Sequence, residues 1–237
     1  IGSEGTLAFI EEITYYTVED LKDKASSLIY FKDIKEACSA VTKLKLAKEA
    51  NTINVEAVEL MDRAGLKSIE NDPAMPAFIK DFDENVTALL IETRAISDAQ
   101  LDIQTAQIEE LLKEFSVVRD IYFTKDVAEY TLYWKIRKGL FPAVGAVRVT
   151  GTTVIIEDVA YPIECLADAT LELQDLFKKH GYSEALIFGH ALEGNFHFVF
   201  TQDFSDAKEV KRYDDFMNDV VHSVAVKYQG SLKAEHG

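Results

Sequence analysis

Apolar positions along the 237-residue chain recur at two spacings, and the spacing changes at turn residues. Alternating or unbroken runs rich in β-branched and aromatic residues predict strands at 7–18, 26–31, 87–94, 117–123, 152–159, 185–188 and 196–201. Apolar residues three and four apart predict helices over 32–48, 55–68, 97–115, 127–136, 163–180 and 205–228. Ser97 before Asp98, and Ser205 before Asp206 and Glu209, supply start signals for two of these helices. Gly181 after Lys179-His180, and Gly65 after Asp62-Arg63-Ala64, read as helix exits with glycine in the left-handed cap.

Interleaved strands and helices indicate an α+β or α/β protein. Polar and apolar residues alternate through Phe9-Ile10-Glu11-Glu12-Ile13-Thr14-Tyr15, a pattern suited to a sheet with one wet face. That favours α+β, with an antiparallel sheet covered by helices on one face. Only 4 Pro and 11 Gly, with no Ser/Gly-rich linker and no repeat period, argue for one compact unit.

Composition removes several function classes. A formal charge of -16 repels phosphate backbones, so no nucleic-acid partner is expected. Cys38 and Cys165 form neither a disulfide framework nor a CxxC zinc motif, which makes the cytoplasm the default location. No apolar run is long enough for a membrane span. GxGxxG and GxxxxGK[ST] fingerprints are absent. The opening Ile1-Gly2-Ser3-Glu4-Gly5-Thr6-Leu7 has no Met, and the chain stops at Gly237 without a polar tail, both expected of a piece cut from a longer protein.

The candidate chemistry lies in Gly189-His190-Ala191-Leu192-Glu193-Gly194-Asn195-Phe196-His197. Gly194-Asn195 is a turn signal between two strand-like flanks, so a hairpin return would bring the two imidazoles together as ligands for zinc or a similar divalent ion. The same residues equally fit a strand cap and a polar sheet face. Glu235, beside His236, would complete two nitrogens and one oxygen and leave positions open, as a catalytic metal requires; a frayed terminus fits the pair as well. Trp134 and Phe141 fit a pocket lining or, more commonly, a core. His180 and His222 read as structural or exposed helix residues.

Three segments, in order, resemble motifs of the FAD-linked oxidases of the vanillyl-alcohol-oxidase type: Gly2 to Leu7, Gly189 to His197, and Gly230-Ser231-Leu232-Lys233-Ala234-Glu235-His236-Gly237. The match is strongest to the D-lactate and D-2-hydroxyglutarate dehydrogenase branch. The resemblance implies that residues 1–7 are the tail of an FAD-binding domain, with Gly2, Ser3, Gly5 and Thr6 approaching the flavin, and that 8–237 form a ferredoxin-like cap domain. It makes His190, His197 and Glu235 metal ligands, zinc being the expected metal, and His236 the base that takes the hydroxyl proton. Arg137 falls where the branch has an arginine clamping the substrate carboxylate, a role its planar fork suits; a solvated helix charge is the alternative.

The stretch Gly139 to Val159 resembles larger members with iron-sulfur domains further along, which implies such a cluster outside this chain. Members acting on dicarboxylates carry a lysine just before the strand Asp, whereas this chain reads Ile155-Ile156-Glu157-Asp158. A lactate-like substrate therefore stays open beside a dicarboxylate, for which Arg148 or Lys138 would have to substitute. The resemblance thus implies a D-2-hydroxy-acid dehydrogenase, inactive as this piece alone, whose partners are a small 2-hydroxy acid, its own FAD-binding domain and an unspecified electron acceptor. An exposed apolar face or a homodimer is expected where the flavin domain would sit. A non-catalytic ferredoxin-like module and a metal-dependent hydrolase are the rival readings.

Overall fold

In a computed structural model of the chain, which describes residues 5–73 and 75–234 with the side chains of 144–147 excepted, side-chain caps set most helix starts. Asp33 accepts from the Glu36 amide at 2.9 Å and starts α1 (Ile34–Glu49). Asp62 accepts from the Gly65 amide and starts α2 (Arg63–Ile69). Ser97 caps α3 (Asp98–Leu112), and Asp126 caps α4 (Val127–Val147). The helix α5 (Leu166–His180) ends on Gly181 at φ 73°, a conformation that glycine adopts without a Cβ penalty. Asp206, one residue beyond the expected Ser205, caps α6 (Ala207–Val221).

Between these helices run β1 (Asp23–Phe31), β2 (Ala57–Met61), β3 (Thr87–Ala95), β4 (Thr153–Ala160), β5 (Leu186–His190) and β6 (Asn195–Gln202). They form one antiparallel sheet in the order β1-β3-β2-β5-β6-β4. The α+β class and the antiparallel sheet are as expected. The order also exposes a repeat that no sequence period announces. β1-α1-β2-β3-α3 and β4-α5-β5-β6-α6 have the same plan, with the third strand inserted between the first two, and β2 joins β5 at the centre.

Ile29, Leu60, Ile91, Ile187 and Phe198 face α1, α3, α5 and α6 in the larger core. The other face is not wet. Tyr30, Met61, Leu90, Phe188 and Val199 pack against Leu66 of α2 and Ile136 and Leu140 of α4. The expectation of helices on one face is thus corrected by a second, smaller helical cover.

Three predicted elements change. Helix 55–68 divides into β2 and α2, because Ala57 to Met61 pairs with β3 and Glu59 to Met61 also with β5, and a strand paired on both edges overrides helical spacing. Gly65 therefore marks a helix start rather than an exit. Residues 7–18 form no strand; Leu7, Phe9, Tyr15, Tyr16 and Val18 are exposed, and alternation alone supplies no partner strand. Residues 117–123 meet β1 only at their ends, where Val118 N–H donates to Tyr30 O at 2.8 Å and Ser26 and Thr124 exchange bonds of 3.0 and 2.8 Å.

Candidate functional site: a histidine hairpin backed by buried carboxylates

β5 passes into β6 through a single short turn, Ala191–Glu193, closed by Gly194 at φ 67°. A Cβ on Gly194 would lie 2.2 Å from Tyr161 O, and one on Gly189 would lie 2.5 Å from Asn195 O, so both close approaches require glycine. Phe188 stands opposite His197 in the register, which sets His190 two residues further along on the same face. The two imidazole rings are 5.5 Å apart, centroid to centroid, and nearly perpendicular. The expected meeting of His190 and His197 occurs.

Each ring is backed by a carboxylate. His190 Nδ1 lies 2.6 Å from Glu59 Oε1 on β2, and His197 Nδ1 lies 3.3 Å from Asp158 Oδ1 on β4. Asp158 also accepts from Asn195 Nδ2 at 2.5 Å and, through Oδ2, from the Ala234 amide at 3.2 Å. The last described residue of the chain is therefore held beside the His197 carboxylate.

Glu59 is only 5% exposed and has a second partner, because Arg137 Nε on α4 donates to its Oε2 at 2.8 Å. The Arg137 guanidinium lies over the Phe188 ring, 4.5 Å from its centre, and Phe188 in turn contacts His197. Arg137 is thus buried and ion-paired rather than a solvated helix charge. Burial pushes the Glu59 carboxyl upward, but the hydrogen bond from His190 and the charge of Arg137 outweigh it and hold Glu59 below its usual range.

One helical turn before Arg137, Trp134 Nε1 donates to Glu92 Oε2 at 2.7 Å, and Ser26 and Arg94 also bond to that buried carboxylate. Three residues of helix rise by about 4.5 Å, close to the spacing of neighbouring strands, so Trp134 and Arg137 can each reach a carboxylate on adjacent strands, β3 and β2. Trp134 accordingly anchors α4 rather than lining an open pocket, and Phe141 is partly exposed. Lys138 lines a separate cleft between α2 and α4 with Ser68, Ile69 and Met75, away from the histidines. Arg148 is exposed at the end of α4.

Sequence reasoning did not single out Glu59 and Glu92, and it passed over Asp158 as a histidine partner. The available signal was a charged residue inside an apolar strand, as in Val58-Glu59-Leu60-Met61. Of the other expected residues, Gly5 and Thr6 are exposed, ahead of the irregular segment before β1. Gly2, Ser3, Glu235 and His236 lie outside the described residues. Among the described residues no group of three or more His, Cys, Asp or Glu is placed to hold a metal ion. His180 bonds Asp219 at 2.6 Å near the end of α5, a structural contact. No helix among the described residues is long and apolar enough to cross a membrane.

Residues 21–237, spanning the whole sheet and its helices, match the model of the FAD linked oxidases, C-terminal domain. The chain belongs to this family. A D-lactate dehydrogenase of Anaerostipes hadrus is 24% identical over 241 residues, covering 100% of this chain and 48% of that protein. A protein of Oryza sativa subsp. japonica named "Probable D-2-hydroxyglutarate dehydrogenase, mitochondrial" is 29% identical over 245 residues, covering 100% of this chain and 40% of its own length. Among solved structures, p-cresol methylhydroxylase with substrate bound aligns at TM-score 0.60 and 14% identity over 90% of this chain and 45% of that one, a likeness of fold. The chain thus spans less than half the length of these relatives, and its family is one of FAD-linked oxidoreductases.

Proposed function

We propose that the chain is the substrate-binding part of a flavin-dependent dehydrogenase that converts a short D-2-hydroxy acid to its 2-oxo acid. The observation that carries this reading is the convergence of His190, His197 and Arg137 on one sheet face, with a carboxylate beside Nδ1 of each imidazole. The two relatives with dehydrogenase names support the substrate class. On the same reading residues 1–7 belong to the flavin-binding domain and 8–237 to the cap. The exposed apolar side chains of 7–18 suit contact with the remainder of a longer protein.

The donor set fits a divalent metal ion. Glu59 is hydrogen-bonded to His190 Nδ1 and Asp158 lies 3.3 Å from His197 Nδ1, so Nε2 is the nitrogen each ring would offer, and for His190 a carboxylate would orient a metal-binding imidazole. Glu235 directly follows Ala234, whose amide is held by Asp158, and would supply the third ligand. Zinc held by His190, His197 and Glu235 would acidify a bound hydroxyl, and a flavin would accept the hydride.

The chain's own residues would do the rest. Arg137, its Nε held by Glu59, would grip the substrate carboxylate with its two Nη groups. His236 would take the hydroxyl proton. Phe188, under the guanidinium and against His197, would keep water from the floor of the site.

The test is anaerobic addition of D-lactate or D-2-hydroxyglutarate to the full-length protein loaded with FAD and zinc, followed by flavin absorbance. One of the two acids bleaches the flavin, and His197→Ala abolishes the bleaching. If neither acid reduces the flavin, the reading is wrong.

A further inference from the structure

Glu59 is hydrogen-bonded to both halves of the candidate site, which Phe188 bridges only through ring contacts. Glu59 Oε1 meets His190 Nδ1 at 2.6 Å and its Oε2 accepts from Arg137 Nε at 2.8 Å, so the two oxygens of a nearly fully buried carboxylate are committed to different partners. β2 fixes its backbone from both sides: Glu59 stands opposite Leu90 of β3 and His190 of β5 in the register. The carboxylate therefore has little freedom to move toward one partner without leaving the other. Arg137 is held a second time through its own helix, because Trp134, three residues earlier, is bonded to Glu92.

We propose that Glu59 is a positioning residue that locks the metal-binding imidazole of His190 and the carboxylate-binding guanidinium of Arg137 into one fixed arrangement. This rests on the function proposed above. One oxygen selects the His190 tautomer that carries its proton on Nδ1 and presents Nε2 as a ligand. The other takes the Nε corner of the guanidinium and leaves its Nη edge for a carboxylate. A carboxylate is the group that serves both, because each partner is a donor. A glutamine at 59 has one acceptor and one donor end, so it satisfies one partner and opposes the other.

The experiment uses the 237-residue chain with Glu59→Gln and, as a second variant, Arg137→Gln, which removes the other donor and leaves Glu59 in place. Zinc affinity is measured by competition with a chromophoric chelator, and the His190 tautomer and the Arg137 Nε–H signal are read from nitrogen-15 spectra of metal-free protein. Glu59→Gln weakens zinc by about 10–100-fold, as loss of a second-layer partner does. It also shifts the tautomer signature of His190 or displaces the Nε–H signal of Arg137. Arg137→Gln leaves the tautomer unchanged and alters zinc affinity by less than the first variant.

A Glu59→Gln chain that keeps the zinc affinity, the tautomer and the Nε–H signal of the parent overturns the proposal. Should the parent itself bind no zinc, the metal reading falls, while the spectra of the metal-free chains still decide whether Glu59 orients both partners. If Glu59→Gln does not fold, an Arg137→Gln chain whose His190 tautomer has changed counts against separate seating of the two partners by the two oxygens and overturns the proposal.

Discussion

The two halves of the sheet share one plan and use it differently, and the difference lies in a single connection. In the first half β2 leads to β3 through residues 62–86, which hold α2 and cover the second face of the sheet. In the second half β5 leads to β6 through residues 191–194 only. The long connection builds a lid over the sheet. The short one brings two histidines onto neighbouring strands, with their rings 5.5 Å apart. The strand that follows each crossover helix ends accordingly: β2 runs into Asp62, a buried cap for α2, and β5 ends in His190. One half supplies the second helical cover and Glu59; the other supplies the two histidines.

The comparison breaks most sharply at His197. Structural zinc binding of about 10–16 kcal/mol shared over three ligands makes each worth roughly a thousandfold in affinity. With zinc bound as proposed, His197→Ala is expected to lose it by that order in a chelator competition, whereas Glu92→Gln, on β3 and bonded to neither histidine, changes it little. The next largest effect is at the turn. Gly194→Ala adds a Cβ against Tyr161 O in a left-handed conformation and lowers stability by about 3–4 kcal/mol, read from urea unfolding.

Asp62 offers a pH test of the first half. Burial pushes its carboxyl up to about 7 from an ordinary 3.8, against two backbone hydrogen bonds that pull it down. Because the folded form binds the proton more tightly, its contribution is complete below pH 4 and is lost as the pH rises through 7. Stability should fall by on the order of 3 kcal/mol across that window, and Asp62→Asn, which keeps a capping oxygen, should flatten the decline in unfolding midpoints. A wild-type curve without that slope would count against a buried, proton-holding Asp62. The smallest effect is expected at Gly65, whose added Cβ would meet Asp62 Oδ1 at 3.3 Å and Leu140 at 3.7 Å in a regular helix. Gly65→Ala shifts stability by less than about 1 kcal/mol, in contrast to Gly194.

The chain's own order of residues determined whatever depends on neighbours a few positions apart. Five of the six strands, the positions of most helices and the return of Gly189 to His197 all follow from spacing, caps and a turn signal. Even there the local pattern failed where a remote partner decided the outcome: 57–61 became a strand because β3 and β5 flank it, and 7–18 stayed irregular and exposed without such a partner. The site divides along the same line. His190 and His197 are seven residues apart and were legible as a pair. Glu59 reaches His190 across 131 residues and Arg137 across 78, and Asp158 reaches His197 through a register set only when β4 joins the sheet. Partners at such separations are fixed by strand order and by the helix that crosses it, and no periodicity in a linear chain encodes which buried carboxylate will meet which imidazole.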